Sequence, residues 1–242
     1  MYKNIYTNIE RKNSITYQIC IIRYFLKRRI LTKASTIIMN LNIYTINHPI
    51  VRNLISYIYN TETNIIERRE ILSQLSYILF YEATRKSIKL INLHIKKLNS
   101  IVEIALLPKK ISQIIFNEIH ASPILCKKIY DIIPKAIVLP FYTNSIKDTK
   151  YIKINIENHL NLIESHSQIF ILQIYLNTDI LCEIFHLIEA KKIKIEQIQV
   201  LCIVCSIEEL QKTSQKYSNL NIYTTKIINH SKNYYIKFLE NF

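Results

Sequence analysis

Two cysteines and a set of histidines are the residues of this chain whose types suggest metal chemistry. Cys202 and Cys205 form a C-x-x-C pair inside an apolar run. A zinc site of this type requires a second such pair or two histidines at ligand spacing, and neither follows. His159 and His166 lie seven residues apart, and no third ligand accompanies them. We therefore predict buried strand cysteines, exposed polar histidines and no metal site.

Glycine is absent from the whole chain, and this limits the chemistry further. A backbone that approaches a phosphate normally uses glycine, which has no Cβ to block the ligand. The chain therefore excludes a P-loop and a Rossmann fingerprint, and it also excludes the glycine-dependent turn that exposes a nucleophilic serine. We assign no catalytic residue.

The charge of the chain is concentrated at its start. Residues 1–40 carry eight Lys or Arg against the single acid Glu10, and the formal net charge of the chain is +14. Residues 14–39 alternate apolar and basic side chains in a pattern that predicts a basic amphipathic helix, suited to a membrane surface, to targeting or to packing. We predict a separable basic extension over 1–40 and a main domain over 41–242. Translation from Met1 and translation from Met39 both fit this division.

The remaining composition indicates what kind of genome encodes the chain and in what redox environment the protein lies. Ile, Asn, Lys and Tyr are abundant and Trp is absent, as expected from codons rich in A and T. This favours an organelle genome, which we interpret as that of a plastid. The five cysteines are an odd number without the spacing of a disulfide framework, which predicts a reducing compartment. No uncharged apolar stretch approaches the roughly 18 residues of a membrane helix, so we predict no transmembrane segment.

Apolar periodicity predicts the elements that must position any site. A long helical pattern covers residues 65–85, and a second helix covers 179–189 with Thr178 or Asp179 as its N-cap. Five short apolar runs predict buried strands, at residues 112–115, 136–140, 169–172, 200–205 and 220–224. Strands that alternate with helices in this way predict an α/β domain with a parallel sheet flanked by helices.

Several short motifs occur in an order and spacing that resemble the uracil phosphoribosyltransferase family over residues 46–236. The clearest is YEATR at residues 81–85, which closes the long helix, and HPIV at 48–51 resembles the family's HPLV. Weaker agreements lie at Ile133-Pro134, Tyr142, Lys153, Leu201 to Val204, Glu208 and Ile222 to Thr224.

The resemblance implies a type I phosphoribosyltransferase-like fold and a homodimer. The family transfers a ribosyl phosphate group from phosphoribosyl pyrophosphate to uracil, uses Mg²⁺ in doing so, and serves pyrimidine salvage. Its loops at the strand ends present amides and a helix N-terminus to the phosphates. The resemblance therefore places the candidate binding positions of this chain in the corresponding loops.

The phosphate loop of this chain departs from that pattern. The family's DPMLATGGS aligns with residues 173–181, where Leu176 and Thr178 are retained. Gln173 replaces the acid that holds the ribose hydroxyls, and Asp179 and Ile180 replace two glycines. A carboxylate at a helix N-terminus occupies the field that a phosphate would use. We expect Asp179 to repel the substrate.

The other loops are also altered. His120 stands where the family's PILRAG has the arginine that clamps a diphosphate, and imidazole cannot supply that bidentate fork. Lys153 retains the family's lysine, whereas Thr143 replaces an arginine. After Tyr235-Ile236 the chain has KFLENF in place of the glycine-rich segment that surrounds uracil. We expect poor binding of phosphoribosyl pyrophosphate and uracil, and no resident cofactor.

Three functional hypotheses follow. The first is a non-catalytic or strongly impaired uracil phosphoribosyltransferase homologue, a pseudoenzyme of a glycosyltransferase family. The second is an active transferase that binds its substrates through substituted loops. The third is a basic module whose N-terminal helix contacts nucleic acid or a membrane surface. The loop changes favour the first hypothesis over the second.

Overall fold

The computed structural model describes residues 41–60, 62–88, 90–106, 113–141, 160–189 and 191–229. The predicted extension over 1–40 and the candidate residue Lys153 lie outside these ranges. Eight strands and six α-helices occur within them. In chain order they are β1 Asn42–Thr45, α1 Pro49–Tyr59, α2 Ile65–Ser87, β2 Ile91–Lys97, β3 Ser100–Leu106, β4 Gln113–Glu118, α3 Ser122–Leu125, α4 Ile129–Ile132, β5 Ile137–Phe141, β6 Gln168–Tyr175, α5 Thr178–Glu189, β7 Ile198–Ser206, α6 Ile207–Lys216 and β8 Asn221–Ile228.

Six of the strands form one sheet in the order β1-β8-β7-β6-β4-β5. Each neighbouring pair in it is parallel. β7 lies near the centre, and all nine of its residues are buried. A strand covered on both faces is expected to be continuously apolar, which explains the run of Ile, Val, Leu and Cys in β7.

Helices cover the sheet on two sides. On one side α2 packs through Leu72, Leu75 and Leu79 against a core that includes Phe170 and Leu201. On the other side the apolar residues of α5 and Leu210 of α6 form a second core with the alternate strand residues. The predicted parallel α/β fold is therefore confirmed.

The predicted elements agree with the structure, and seven further elements were not predicted. Each of the five apolar runs lies in or at a strand, and the long helix continues two residues beyond Arg85 to Ser87. The elements that were missed are β1, α1, β2, β3, α3, α4 and α6. β1 has only four residues, and α6 is largely polar, so neither carries a strong apolar pattern.

The β2–β3 pair is a separate antiparallel hairpin with one apolar face. Its register places three apolar pairs on that face, and Leu93 on it is 45% exposed. The opposite face is more polar and includes the pair His94 and Glu103. The three apolar pairs are Ile91 with Leu106, Leu93 with Ile104 and Ile95 with Val102.

The packing of α2 against the sheet can be tested with two nearby residues of this helix. Leu79 is fully buried, whereas Tyr81, two positions later in the same helix, is 61% exposed. We expect Leu79→Ala to lower the free energy of unfolding by about 2 to 5 kcal/mol, because it leaves a cavity between helix and sheet. Tyr81→Ala is the matched control, and its effect should stay within about 0.5 kcal/mol. Urea titration followed by circular dichroism measures both, and equal effects would contradict this packing.

Candidate functional site

Four of the candidate positions, His120, Gln173, Thr178 and Asp179, lie at one edge of the sheet. Carboxyl ends of parallel strands lie at the same edge, which is where α/β proteins bind their ligands. β4 ends at Glu118 and leads to His120, and β6 ends at Tyr175 and leads through a short turn to Thr178. β7, hydrogen-bonded to β6, ends at Ser206 and leads into α6. This edge is the candidate site.

The turn between β6 and α5 is held by its own side-chain amides. The backbone N–H of Asn177 donates a hydrogen bond to Gln173 Oε1 at 3.2 Å. Asn177 Oδ1 in turn accepts hydrogen bonds from the backbone N–H groups of Asp179 and Ile180, at 2.9 and 3.3 Å. Asn177 is therefore the N-cap of α5.

The predicted cap, Thr178 or Asp179, is thus wrong by one or two residues. The Thr178 side chain is buried and turned toward α6, so it does not bond the amides of its own helix. The Asp179 carboxylate points outward, 87% exposed, with Lys216 Nζ at 3.8 Å from Oδ1. Asn177, the residue before Thr178, provides instead the short side chain whose oxygen accepts the first free N–H groups of the helix.

A carboxylate from α6 occupies the start of α5. Glu209 Oε2 accepts the Thr178 backbone N–H at 2.9 Å and the Thr178 hydroxyl at 2.7 Å. Lys212 Nζ donates to the other carboxylate oxygen of Glu209, Oε1, at 2.7 Å. The Glu209 side chain is only 14% exposed, so these bonds form away from bulk water. The protein supplies its own anion at a helix N-terminus.

The ionisation of Glu209 is stabilised by these partners. Burial raises the pKa of Glu209, but the hydrogen bonds from Lys212 and Thr178 outweigh it, so the pKa lies below its ordinary value. The same contact raises the pKa of Lys212. Glu209 is therefore a carboxylate at neutral pH and places a negative charge at the start of α5.

All four amides of the first turn of α5 have acceptors within the chain. The N–H of Thr178 bonds Glu209, and those of Asp179 and Ile180 bond the Asn177 side chain. The N–H of Leu181 bonds the backbone carbonyl of Asn177 at 3.2 Å. These are the groups that a helix leaves for caps, water or an anion, and none remains for an external ligand.

Gln173 lies inside the protein at the end of β6. It is 1% exposed, its Oε1 is bound to Asn177, and its Nε2 has no hydrogen-bond partner. Magnesium ions prefer carboxylate and carbonyl oxygens that keep access to water. A buried amide whose oxygen is already bonded does not meet this requirement, so Gln173 does not fit a Mg²⁺-bound ribose.

The loop after β4 combines an exposed base with a partly buried acid. His120 is exposed on the turn that follows the strand. Burial raises the pKa of Glu118, and the nearby His120 lowers it in part. His120 and Glu118 lie at the carboxyl end of β4, which is hydrogen-bonded to β6, so they belong to the same sheet edge as the β6–α5 turn.

The sequence reasoning missed Asn177, Glu209 and Lys212. One signal was present, because Ser206 to Glu209 has the S-x-x-E spacing of a capping box. Ser206 Oγ does accept the Glu209 N–H at 3.1 Å and so caps α6. The Glu209 carboxylate, however, bonds Thr178 of the neighbouring helix rather than returning to its own cap.

The predicted buried cysteines are confirmed at Cys202 and Cys205, both fully buried in β7. Within the part of the chain that the structure describes, no three His, Cys, Asp or Glu side chains are grouped to hold a metal ion. Among the helices of those ranges, none has both the length and the apolar content to cross a bilayer.

Comparison with known proteins agrees with this architecture. The structure of the AQ2163 protein from Aquifex aeolicus matches with a TM-score of 0.61 at 14% identity, over 79% of this chain and 89% of that one, which shows the fold alone. The sheet and its helices have the type I phosphoribosyltransferase-like architecture.

Sequence comparison identifies the family. A protein of the red alga Porphyra purpurea named "Uracil phosphoribosyltransferase homolog" is 26% identical over 190 residues, which are 78% of this chain and 89% of that protein. The family described as "Uracil phosphoribosyltransferase" matches residues 45–237. The chain belongs to the uracil phosphoribosyltransferase family.

The contact between Glu209 and Thr178 can be tested through its pH dependence. Because the pKa of Glu209 is lowered by folding, its contribution is present above the ordinary value of 4.5 and is lost as pH falls through the folded value. We expect Glu209→Gln to lower the free energy of unfolding at pH 7 by about 1 to 2 kcal/mol. The difference from the unaltered chain should shrink below about pH 4.

Glu208→Gln is the matched control for this measurement, since Glu208 is the exposed neighbour of Glu209 in the same turn of α6. Urea titrations at a series of pH values give the comparison. A pH-independent effect of Glu209→Gln, or an equal effect of Glu208→Gln, would contradict the described contact.

Proposed function

We propose that this protein is a uracil phosphoribosyltransferase homologue that has lost most or all of the family's transferase activity. The observation that carries the proposal is the occupied start of α5. Thr178 is retained from the family's motif, yet its N–H and hydroxyl are bound by Glu209. A phosphate at this position would have to displace a buried carboxylate that two other residues hold.

Charge at the sheet edge supports the same conclusion. Glu209 and Asp179 both lie at the start of α5, and Glu118 lies at the end of the neighbouring strand β4. Phosphoribosyl pyrophosphate carries several negative charges, and like charges in a partly desolvated cleft repel strongly. The Lys212 and Lys216 ammonium groups are paired with Glu209 and Asp179, so these lysines compensate carboxylates of the chain itself.

The backbone conformation of the β6–α5 turn also supports the proposed loss of transferase activity. Among the described residues, positive φ angles occur only at Lys192 and Asn219, neither of which lies in the β6–α5 turn. A turn made of residues with a Cβ covers its own amides, whereas glycine would leave them open. The helix start therefore has the geometry of a capped helix.

We further propose that the protein acts as a homodimer. The apolar face of the β2–β3 hairpin is exposed, and a two-stranded hairpin alone is marginally stable in water. A second copy would present the same largely apolar face, and a two-fold symmetric contact joins the same patch on both subunits. A plastid location is supported by the A- and T-rich codon signature of the composition and by the red algal source of the relative.

The activity proposal predicts negligible binding and turnover. Titration calorimetry of the purified chain with phosphoribosyl pyrophosphate and Mg²⁺ should give a Kd weaker than about 1 mM, and uridine monophosphate should not form from uracil. The combined variant Asp179→Gly, Ile180→Gly and Glu209→Ala should bind more tightly, because it frees amides and removes two negative charges. The single variant Glu196→Ala, at an exposed carboxylate before the opposite end of β7, serves as the control and should leave binding unchanged.

Formation of uridine monophosphate by the unaltered chain would support the alternative, which is an active transferase with substituted loops. In that case changing Thr178 or Lys153 to Ala should abolish the activity. Micromolar binding that is lost on Asp179→Lys would show that the loop has been rebuilt for the substrate.

The homodimer has a separate test in analytical ultracentrifugation. We expect the unaltered chain to sediment as a dimer, and the pair of changes Leu93→Ser and Ile104→Ser to yield monomers, since these residues face each other on the apolar side of the hairpin. The control is His94→Ser on the opposite face. A monomeric unaltered chain, or a dimer that persists in the double variant, would overturn the assignment.

A further inference from the structure

The thiol of Cys182 lies at the contact between α5 and α6 and differs from the other described cysteines. Cys126, Cys202 and Cys205 are buried, whereas Cys182 is partly exposed. Burial raises the pKa of the Cys126 and Cys202 thiols, which keeps them protonated and unreactive. Among the cysteines that the structure describes, Cys182 is the one that a dissolved oxidant reaches.

A lysine lies directly against this thiol. Lys216 Nζ, at the last residue of α6, is 3.2 Å from Cys182 Sγ. The hydrogen bond to Cys182 raises the pKa of Lys216, so the amine is a cation next to the sulfur. Of the two forms of a cysteine side chain, the thiolate is the one that reacts with oxidants.

An aromatic pair forms the wall of the same contact. The rings of Phe185 and Tyr217 stack with centroids 4.3 Å apart, joining α5 to the residue that follows α6. Burial and the adjacent Cys182 raise the pKa of the Tyr217 hydroxyl. The stacked rings keep the two helices together at the sulfur, so the distance between Cys182 and Lys216 does not depend on the flexible lysine side chain alone.

We propose that Cys182 and Lys216 form a covalent sulfur–nitrogen link between α5 and α6 when the protein meets a hydroperoxide. The Cys182 thiolate attacks the outer oxygen of the peroxide, the O–O bond breaks, and the alkoxide leaves, or hydroxide when the oxidant is hydrogen peroxide, so that sulfur is oxidised to a sulfenic acid and the peroxide is reduced. Lys216 loses a proton to solvent, its nitrogen attacks the sulfur, and the hydroxyl leaves as water after taking a second proton from the amine. The product is a sulfenamide, which thiols reduce to the starting pair.

The link would act on the contact that closes the candidate site. Cys182 lies one turn beyond Thr178 in α5, and Lys216 lies at the opposite end of α6 from Glu209. Joining them fixes the two helices that Glu209 and Thr178 also connect. The proposal stands on the geometry of the pair and is independent of whether the chain retains transferase activity.

Mass spectrometry of the full chain after mild peroxide treatment tests the link. We expect the intact mass to fall by two hydrogens and peptide mapping to join the segment of Cys182 to that of Lys216. Dithiothreitol should restore the original mass. The melting temperature should rise in the oxidised protein and return after reduction, because a cross-link constrains the unfolded chain.

Variants separate the link from simple thiol oxidation. Lys216→Arg keeps the cation but removes the reactive amine, so it should yield a sulfenic acid that dimedone traps and no joined peptide. Cys182→Ser should yield neither product, and Lys194→Arg, a change at an exposed lysine outside the contact, should behave as the unaltered chain. A Cys182 that resists peroxide, or that carries only oxygen without joining Lys216, overturns the proposal.

Discussion

Every turn of this protein has to be made by residues that carry a Cβ, because the chain contains no glycine. This constraint shapes the loops more than any single contact does. Positive φ appears at Asn219 and Lys192, and Asn is among the non-glycine residues that tolerate it best. At the β6–α5 turn the backbone avoids positive φ and relies on the side chains of Gln173 and Asn177. The turn that a phosphate would need is thereby replaced by a capped one.

The absence of glycine does not impair the sheet. Its strands need continuous apolar side chains, and Ile, Val, Leu and Phe supply them without glycine. Cores tolerate many apolar substitutions when volume and pattern are retained, which explains how the architecture is kept at 14% identity to the Aquifex aeolicus structure. A loop that binds a ligand tolerates fewer substitutions, because each of its amides must face a particular atom of the ligand.

The interior charge at the start of α5 has a structural role. A helix N-terminus favours a negative group, and a carboxylate of the chain meets that preference permanently. Glu209 also satisfies the buried hydroxyl of Thr178, whose burial without an acceptor would be costly. Lys212 balances the charge from the solvent side. The retained threonine then has a structural reason to persist that does not require the substrate.

The sequence by itself determined the fold class, the strand positions at the centre of the sheet, the long helix and the family, because these depend on periodicity and on motifs read along the chain. The candidate positions Gln173, Thr178, Asp179 and His120 lie at or after the ends of β4 and β6. The sequence did not identify the partner of Thr178.

Only the tertiary structure decided that partner. Thr178 and Glu209 are 31 residues apart and meet because β6 and β7 are neighbours in the sheet. A capping pattern at Glu209 predicts a bond within its own helix, and the fold instead brings the buried hydroxyl and amide of Thr178 within reach of the carboxylate. The β2–β3 hairpin, which the sequence analysis did not predict, and its exposed apolar face likewise became visible only in the structure.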